Sequence, residues 1–323
     1  MNLQIRRDEI RDIVVRPLRE SDLADADHIM RLAFGTFLGV PDPASFMGDA
    51  GYVRTRWKAR PDGAFGAEIN NELVGSNFAT NWGSVGFFGP LTIRPDLWDQ
   101  GVGKCLMEPV LACFDQWQTK HAGLFTFVQS QKHIWLYQKF GFYPRFLTAI
   151  MSKPVEPSGR PTVWTTFSDA STSERAAIMD RCRELTHTVY EGLNVEQEIC
   201  SVADQKLGDT VLLWDEDRLA GFAVCHSGPR TEAGSGACYI KFGVVRPDAA
   251  AGKHFNSLFD ACESLASSRK LSRLVAGVNT ARHEAYRQML ARGFRADLLG
   301  VAMAKPNEPG YNRPSVYLID DWR

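Results

Sequence analysis

Leu91-Thr92-Ile93-Arg94-Pro95-Asp96-Leu97-Trp98-Asp99-Gln100-Gly101-Val102-Gly103-Lys104 is the stretch on which the fold turns. It opens on the end of an apolar, β-like run and passes through an Arg-Pro-Asp turn. Two glycines then lead into a segment where Val102, Leu106, Val110 and Phe114 recur at helical spacing. The reading is strand, turn, helix. Glycines at such a junction let the backbone approach a ligand closely. The unbonded N–H groups of the helix's first turn then point at one spot, which suits an anion. The spacing is not that of a P-loop, and the dinucleotide fingerprint's third glycine is missing.

Working outward, the chain repeats itself. Arg94-Pro95-Asp96 recurs as Arg246-Pro247-Asp248, Gly141-Phe142 as Gly293-Phe294, and Met151-Ser152-Lys153-Pro154 as Met303-Ala304-Lys305-Pro306, all at an offset of 152 residues. Two copies of one fold are expected, residues 1–156 and 161–323. They join in the Pro- and Gly-containing stretch that runs from Pro154 to Pro161.

In the first copy Ile13–Arg16 reads as a strand. Ser21 reads as an N-cap, followed by a helix from Asp22 to about Phe37. Ala64–Asn70 and Leu73–Thr80 read as a hairpin, and Val85–Ile93 as one long strand. Gly101 to about Thr119 is a helix, Leu124–Val128 a strand, Gln131–Phe140 a helix ended by Gly141, and Phe146–Met151 a last strand. The order is β-α-β-β-β-α-β-α-β. The second copy follows it, with its hairpin turn between Trp214 and Arg218. The tail from Ser315 to Ile319 alternates like a strand able to pair with a sheet edge.

Composition narrows the function. Lys plus Arg number 37 and Asp plus Glu 38, a net charge of −1, so a polyanion partner or an anionic membrane surface is disfavoured. No segment reaches the ~18 apolar residues a membrane span needs. The charged N-terminus lacks the apolar core of a signal peptide, so a cytoplasmic location is expected. The seven cysteines form no Cys-x-x-Cys pair and none stands near a histidine at zinc spacing; free thiols and no metal are expected. Oligomeric state is left open.

The glycine turn, together with Leu136-Tyr137-Gln138-Lys139-Phe140-Gly141-Phe142, resembles the GNAT acyltransferase superfamily. Gly101 and Gly103 match the small positions of its pyrophosphate motif, while Trp98 stands where Arg or Gln is usual. Leu136, Tyr137, Gly141 and Phe142 match its second signature, with Ser130 at the position of an Asn. The fold the resemblance implies is a tandem α/β (α+β) architecture, each copy a mixed, mostly antiparallel sheet flanked by helices. It further implies an acetyl-CoA site. The pantetheine would lie along the backbone of Leu91, Thr92 and Ile93, and the pyrophosphate on the N–H groups of Gln100, Gly101, Val102, Gly103 and Lys104. Tyr137 would face the sulfur and protonate the departing thiolate.

At the same offset the second copy has Gly252-Lys253-His254-Phe255 in place of the glycine motif and Met289 in place of Tyr137, so it is expected to be structural. The general base is left among Asp42, Asp49, Glu68, His133 and water; His133 lies one helical turn before Tyr137. Phe34, Phe37, Phe46, Trp82, Phe87 and Phe88 are expected around the acceptor cleft, and the segment from Gly39 to Tyr52 reads as a covering loop. The expected activity is acetyl transfer to a small-molecule amine. A non-catalytic acyl-CoA sensor and a protein or peptide acetyltransferase are the alternatives.

Overall fold

The computed structural model describes residues 12–156 and 163–323, so of the expected join from Pro154 to Pro161, residues 157–161 lie outside the described residues. The first half runs β1 (Val14–Pro17), α1 (Leu23–Leu38), α2 (Val53–Ala59), β2 (Ala64–Ile69), β3 (Glu72–Trp82), β4 (Val85–Phe88), β5 (Thr92–Ile93), α3 (Val102–Gln116), β6 (His121–Phe127), α4 (Gln131–Gln138) and β7 (Tyr143–Pro154). The second half runs β8 (Trp164–Thr166), α5 (Thr172–Val189), α6 (Glu196–Gln205), β9 (Gly208–Asp215), β10 (Arg218–Gly228), β11 (Gly234–Val245), α7 (Ala251–Ser268), β12 (Arg273–Asn279), α8 (His283–Ala291), β13 (Arg295–Lys305) and β14 (Leu318–Ile319).

Most elements stand where the hydrophobic pattern puts them. The β2–β3 hairpin turns on Asn70 and Asn71, both with positive φ, the conformation that a two-residue hairpin turn favours. Val102, Leu106, Val110 and Phe114 are all buried on the inner face of α3. Each such burial contributes roughly 1.5–3 kcal/mol.

Three details differ from the sequence reading. Helix α1 begins at Leu23, not behind a Ser21 cap. A short 3-10 turn over Glu20–Asp22 precedes it, and the Asp22 carboxylate is held at 2.6 Å by Arg16. The expected strand Val85–Ile93 breaks after Phe88, because Pro90 has no N–H for the ladder. Helix α2, too short for a periodic signal, went unread.

The strand order is β1-β2-β3-β4-β6-β13-β7-β12-β11-β10-β9-β8, so one sheet runs through both halves. The two halves exchange their last long strands. β6 of the first half pairs with β13 of the second, β12 of the second pairs with β7 of the first, and β7 and β13 pair with each other, all antiparallel. The cores are exchanged with them. Ala149 and Met151 of β7 belong to the second half's core, and Val301 and Met303 of β13 to the first half's.

Candidate functional site

After Phe88 the chain leaves β6. β4 pairs with β6 only from Val85 to Phe88, whereas Thr92 and Ile93 of β5 pair with β3 alone. A notch opens between residues 89–93 and the end of β6. A cavity of ≈ 400 Å³ lies against this notch, lined there by Gly89, Pro90, Leu91, Phe127, His133 and Tyr137.

The second half shows what such a notch accepts. Past Ile240 β11 parts from β12, and β14 fills the gap: Gly243 and Val244 pair with Ile319 and Leu318. Gly243 and Val244 are the counterparts, at the offset of 152, of Leu91 and Thr92. The chain's own tail therefore occupies the backbone slot of the second copy. The tail strand expected from the alternation of residues 315–319 is thus present, shortened to two residues and paired inside the sheet. In the first half no strand among the described residues lies on the free side of Leu91 and Thr92. Phe255 and Met289, at the positions of Gly103 and Tyr137, are fully buried in the second core.

At the head of α3 Gly101 has φ +86°, a conformation L side chains rarely adopt. A Cβ on Gly103 would stand 3.1 Å from Ile93 Cδ1 and 3.5 Å from Leu136 Cδ2. The N–H groups of Gly101, Val102 and Gly103 have no hydrogen-bond acceptor among the described residues, whereas that of Lys104 donates to the Gly101 carbonyl at 3.0 Å. The Gln100 side chain donates to the Asp96 carbonyl at 3.1 Å. Trp98, the departure from the usual motif, donates its indole N–H to the Ile93 carbonyl at 2.9 Å and so ties the turn to β5. Arg94 donates its N–H to the Val74 carbonyl at 2.8 Å and Thr92 pairs with Ser76, so both face β3, which leaves Leu91 and the Ile93 N–H as the outward backbone.

Ser130 is the N-cap of α4, its hydroxyl accepting the His133 N–H at 3.4 Å. Tyr137, on the same helix, packs edge-on against Phe88, ring centroids 5.6 Å apart, and lines the cavity. Burial raises its phenol's pKa, so it keeps its proton at neutral pH. His133 also lines the cavity and stacks near Phe37 at 5.3 Å. Burial, with the Lys132 charge adding to it, lowers its pKa from the ordinary 6.5, so the imidazole is neutral at pH 7.

The other base candidates lie elsewhere. Glu68 is bound by Arg16 on the outer strands. Asp49 accepts the Ser235 hydroxyl at 2.6 Å and the Ser235 N–H at 2.8 Å. Asp42 is exposed, and like the other two it is not among the lining residues.

The end of the cavity at which an acceptor was expected is aromatic but differs in membership from the sequence reading. Phe34, Phe46 and Phe88 line it, joined by Phe125 and Phe127. Trp82 and Phe87 pack instead into the core shared with the second half, Trp82 lying 5.2 Å from Phe242. The loop between α1 and α2 is fastened on two sides. Arg31 donates to the carbonyls of Phe46, Gly48 and Ala50 at 2.6–2.7 Å, and Asp49 anchors to Ser235.

The second half also reaches this cavity, which no motif in the sequence announces. Glu232, Tyr239, Leu298, Trp322 and Arg323 all line it. Space for the tail comes from two glycines: a Cβ on Gly123 would stand 2.4 Å from the Trp322 ring, and one on Gly277 2.3 Å from Asp321. Those unexplained glycines inside strands were the one available signal.

The site thus consists of a splayed strand beside a glycine-headed helix, with a tyrosine at the notch. Residues 28–142 match the model of the acetyltransferase (GNAT) family. Comparison with curated proteins yields no match. Among solved structures, a putative acetyltransferase from Pyrococcus horikoshii aligns over 96% of this chain and 95% of its own, at 13% identity and a TM-score of 0.68. A GCN5-related N-acetyltransferase from Sphaerobacter thermophilus aligns over 91% of this chain and 95% of its own, at 14% identity and a TM-score of 0.59. A tandem GNAT protein from the clavulanic acid biosynthesis pathway aligns over 91% and 98%, at 11% identity and a TM-score of 0.56.

Residues 28–142 carry a GNAT acetyltransferase domain, and the fold of the chain is that of tandem GNAT structures. The family's reaction is acetyl transfer from acetyl-CoA. Among the described residues no helix is long and apolar enough to cross a membrane, and no group of three or more His, Cys, Asp or Glu is placed to hold a metal ion.

Proposed function

We propose that residues 1–156 and 161–323 are two copies of the GNAT fold, and that the first transfers an acetyl group from acetyl-CoA to the amine of a small molecule. The observation that carries this is the open backbone edge from Leu91 to Ile93, whose counterpart in the second half is filled by β14. Leu91, Thr92 and Ile93 would hold the pantetheine. The free amides of Gly101, Val102 and Gly103, with Gln100, Lys104 and the α4 cap Ser130 beside them, would hold the pyrophosphate end. Acetyl-CoA supplies the activated acyl group. His133 takes the proton the amine loses as its nitrogen bonds to the acyl carbon, and Tyr137 donates a proton to the sulfur as the C–S bond breaks. His133 is chosen because Asp42, Asp49 and Glu68 do not line the cavity.

The aromatic walls and enclosed volume suit a partly apolar small amine. Release of free thiol from acetyl-CoA, followed with a panel of amines, amino acids, aminoglycosides and peptides, tests the reading. Turnover with small amines and not with peptides is expected; peptide-only turnover, or acetyl-CoA binding with no turnover, would overturn it.

Gly103→Phe, which writes the second copy's residue into the first, should weaken acetyl-CoA binding by at least about tenfold, since its ring must displace Ile93 or enter the notch. Phe255→Leu should leave binding unchanged. Calorimetric titration with acetyl-CoA reads both, and equal losses would refute the single-site reading.

His133→Ala should lower kcat/KM by about 10²- to 10⁴-fold at neutral pH. In the wild-type protein the acid limb of the pH profile should lie below 6.5, because burial depresses the imidazole's pKa. A variant with an unchanged rate and an unchanged acid limb would return the proton to water.

A further inference from the structure

Arg56, on α2, is fully enclosed and touches three things at once. Its guanidinium donates to the Gly89 carbonyl, where β4 ends and the notch begins. It donates to the main-chain oxygen of Arg323, which lines the cavity. It is gripped by both carboxylate oxygens of Glu232 from the second half, at 3.0 and 3.1 Å. Glu232 is held in turn by Lys241 at 2.9 Å, and Lys241 by Glu198 at 3.1 Å. Burial pushes the Glu232 carboxyl up, but Arg56 and Lys241 outweigh it and hold the group ionised.

A buried cation is an expensive way to tie two loops together, and its planar fork is suited to holding several acceptors in fixed directions. Two of the acceptors it holds are the residue that leads into the backbone edge proposed for the acyl donor and the tail that reaches the cavity.

We infer that Arg56 and Glu232 are a positioning pair, through which the second half sets the geometry of the acyl-donor notch in the first. The inference rests on the acetyltransferase reading above. Gly89 is the last residue with an N–H before the proline, and that N–H is bonded to the Phe78 carbonyl at 2.8 Å. With its carbonyl held by Arg56, both polar groups of Gly89 are fixed, and Leu91 leaves the junction along one path. Without Glu232 the guanidinium loses the partner that orients it, and the edge from Leu91 to Ile93 is no longer held apart from β6. The second half thereby acts on a reaction for which it carries no donor slot of its own.

The test compares two buried ion pairs that both join the halves. Glu232→Gln keeps the side chain's shape and removes its charge. Lys153→Met breaks the pair between β7 and Glu263 of α7, formed at 2.9 Å and away from the cavity. Both variants should lower the melting temperature. Only Glu232→Gln should weaken acetyl-CoA binding, by about tenfold, the scale of one charge-assisted hydrogen bond, when titrated at a temperature where each variant is folded. Arg56→Lys, which keeps the charge but cannot span all three acceptors, should do the same, and it stands in if Glu232→Gln does not fold.

Unchanged acetyl-CoA affinity in a folded Glu232→Gln or Arg56→Lys protein would overturn the inference. So would an equal loss of affinity in Lys153→Met, which would make the effect one of stability alone. If the wild-type protein fails to bind acetyl-CoA, the acetyltransferase reading falls first and this inference with it.

Discussion

Tyr137→Phe should lower turnover by about 10²- to 10⁴-fold, the range for a lost general acid, while the dissociation constant for acetyl-CoA changes less than about threefold, under 1 kcal/mol. The substitution keeps the ring against Phe88 and removes only the O–H. A phenol that acts as the C–S bond breaks stabilises the transition state and adds little to the ground state, which holds a neutral thioester. Burial raises the phenol's pKa, so the proton is present across the neutral range. Water entering the notch would supply part of the missing proton and sets the lower end of the range. Thermal stability should be retained, because no packing volume is lost. The check is turnover under conditions where chemistry limits the rate, beside a titration with acetyl-CoA. An unchanged rate removes Tyr137 from the reaction, and parallel loss of binding and stability makes it a packing residue.

Separating the halves should cost about as much stability as either half can supply. A fragment of residues 1–156 loses β13, and with it Val301 and Met303 from its core, and leaves the β6 edge from Ala122 to Phe127 unpaired. A fragment of residues 161–323 loses β7, and with it Ala149 and Met151. It also loses Trp82, Val85 and Phe87 from the core that contains Phe222 and Phe242. Removing one large buried apolar side chain costs roughly 2–5 kcal/mol, and a domain's whole stability is roughly 5–15 kcal/mol. Two or three such losses are of the same size, and a bare sheet edge open to aggregation adds to them. Each fragment expressed alone should be insoluble or unfolded, and co-expression should recover a soluble complex. Two monomeric fragments, each with its own cooperative thermal transition, would show that the exchanged strands are dispensable.

The sequence by itself determined most of the elements and the family resemblance they carry. Gly101 and Gly103 ahead of an amphipathic helix, and Tyr137 ahead of Gly141-Phe142, are local patterns: a glycine's φ, a helix's period and a phenol's proton depend on a few neighbouring residues. The repeat was likewise legible, because Arg-Pro-Asp, Gly-Phe and Met-x-Lys-Pro recur at one offset.

Partner choice was not legible. A run such as Ala149–Met151 reads as a strand with two buried faces but does not say whose strands lie beside it, so the exchange of β7 and β13 had to come from the folded chain. Nor could residue type say that Arg56, Glu232 and Lys241 are buried, since such residues are mostly exposed and their burial follows from pairing with distant charges. Asp42, Asp49, Glu68 and His133 were equivalent candidates in the sequence, and only their distance from the cavity separates them. Tertiary structure decided these matters because burial, strand pairing and the convergence of Arg56, Glu232 and Arg323 depend on residues up to 267 positions apart, beyond the reach of any local pattern.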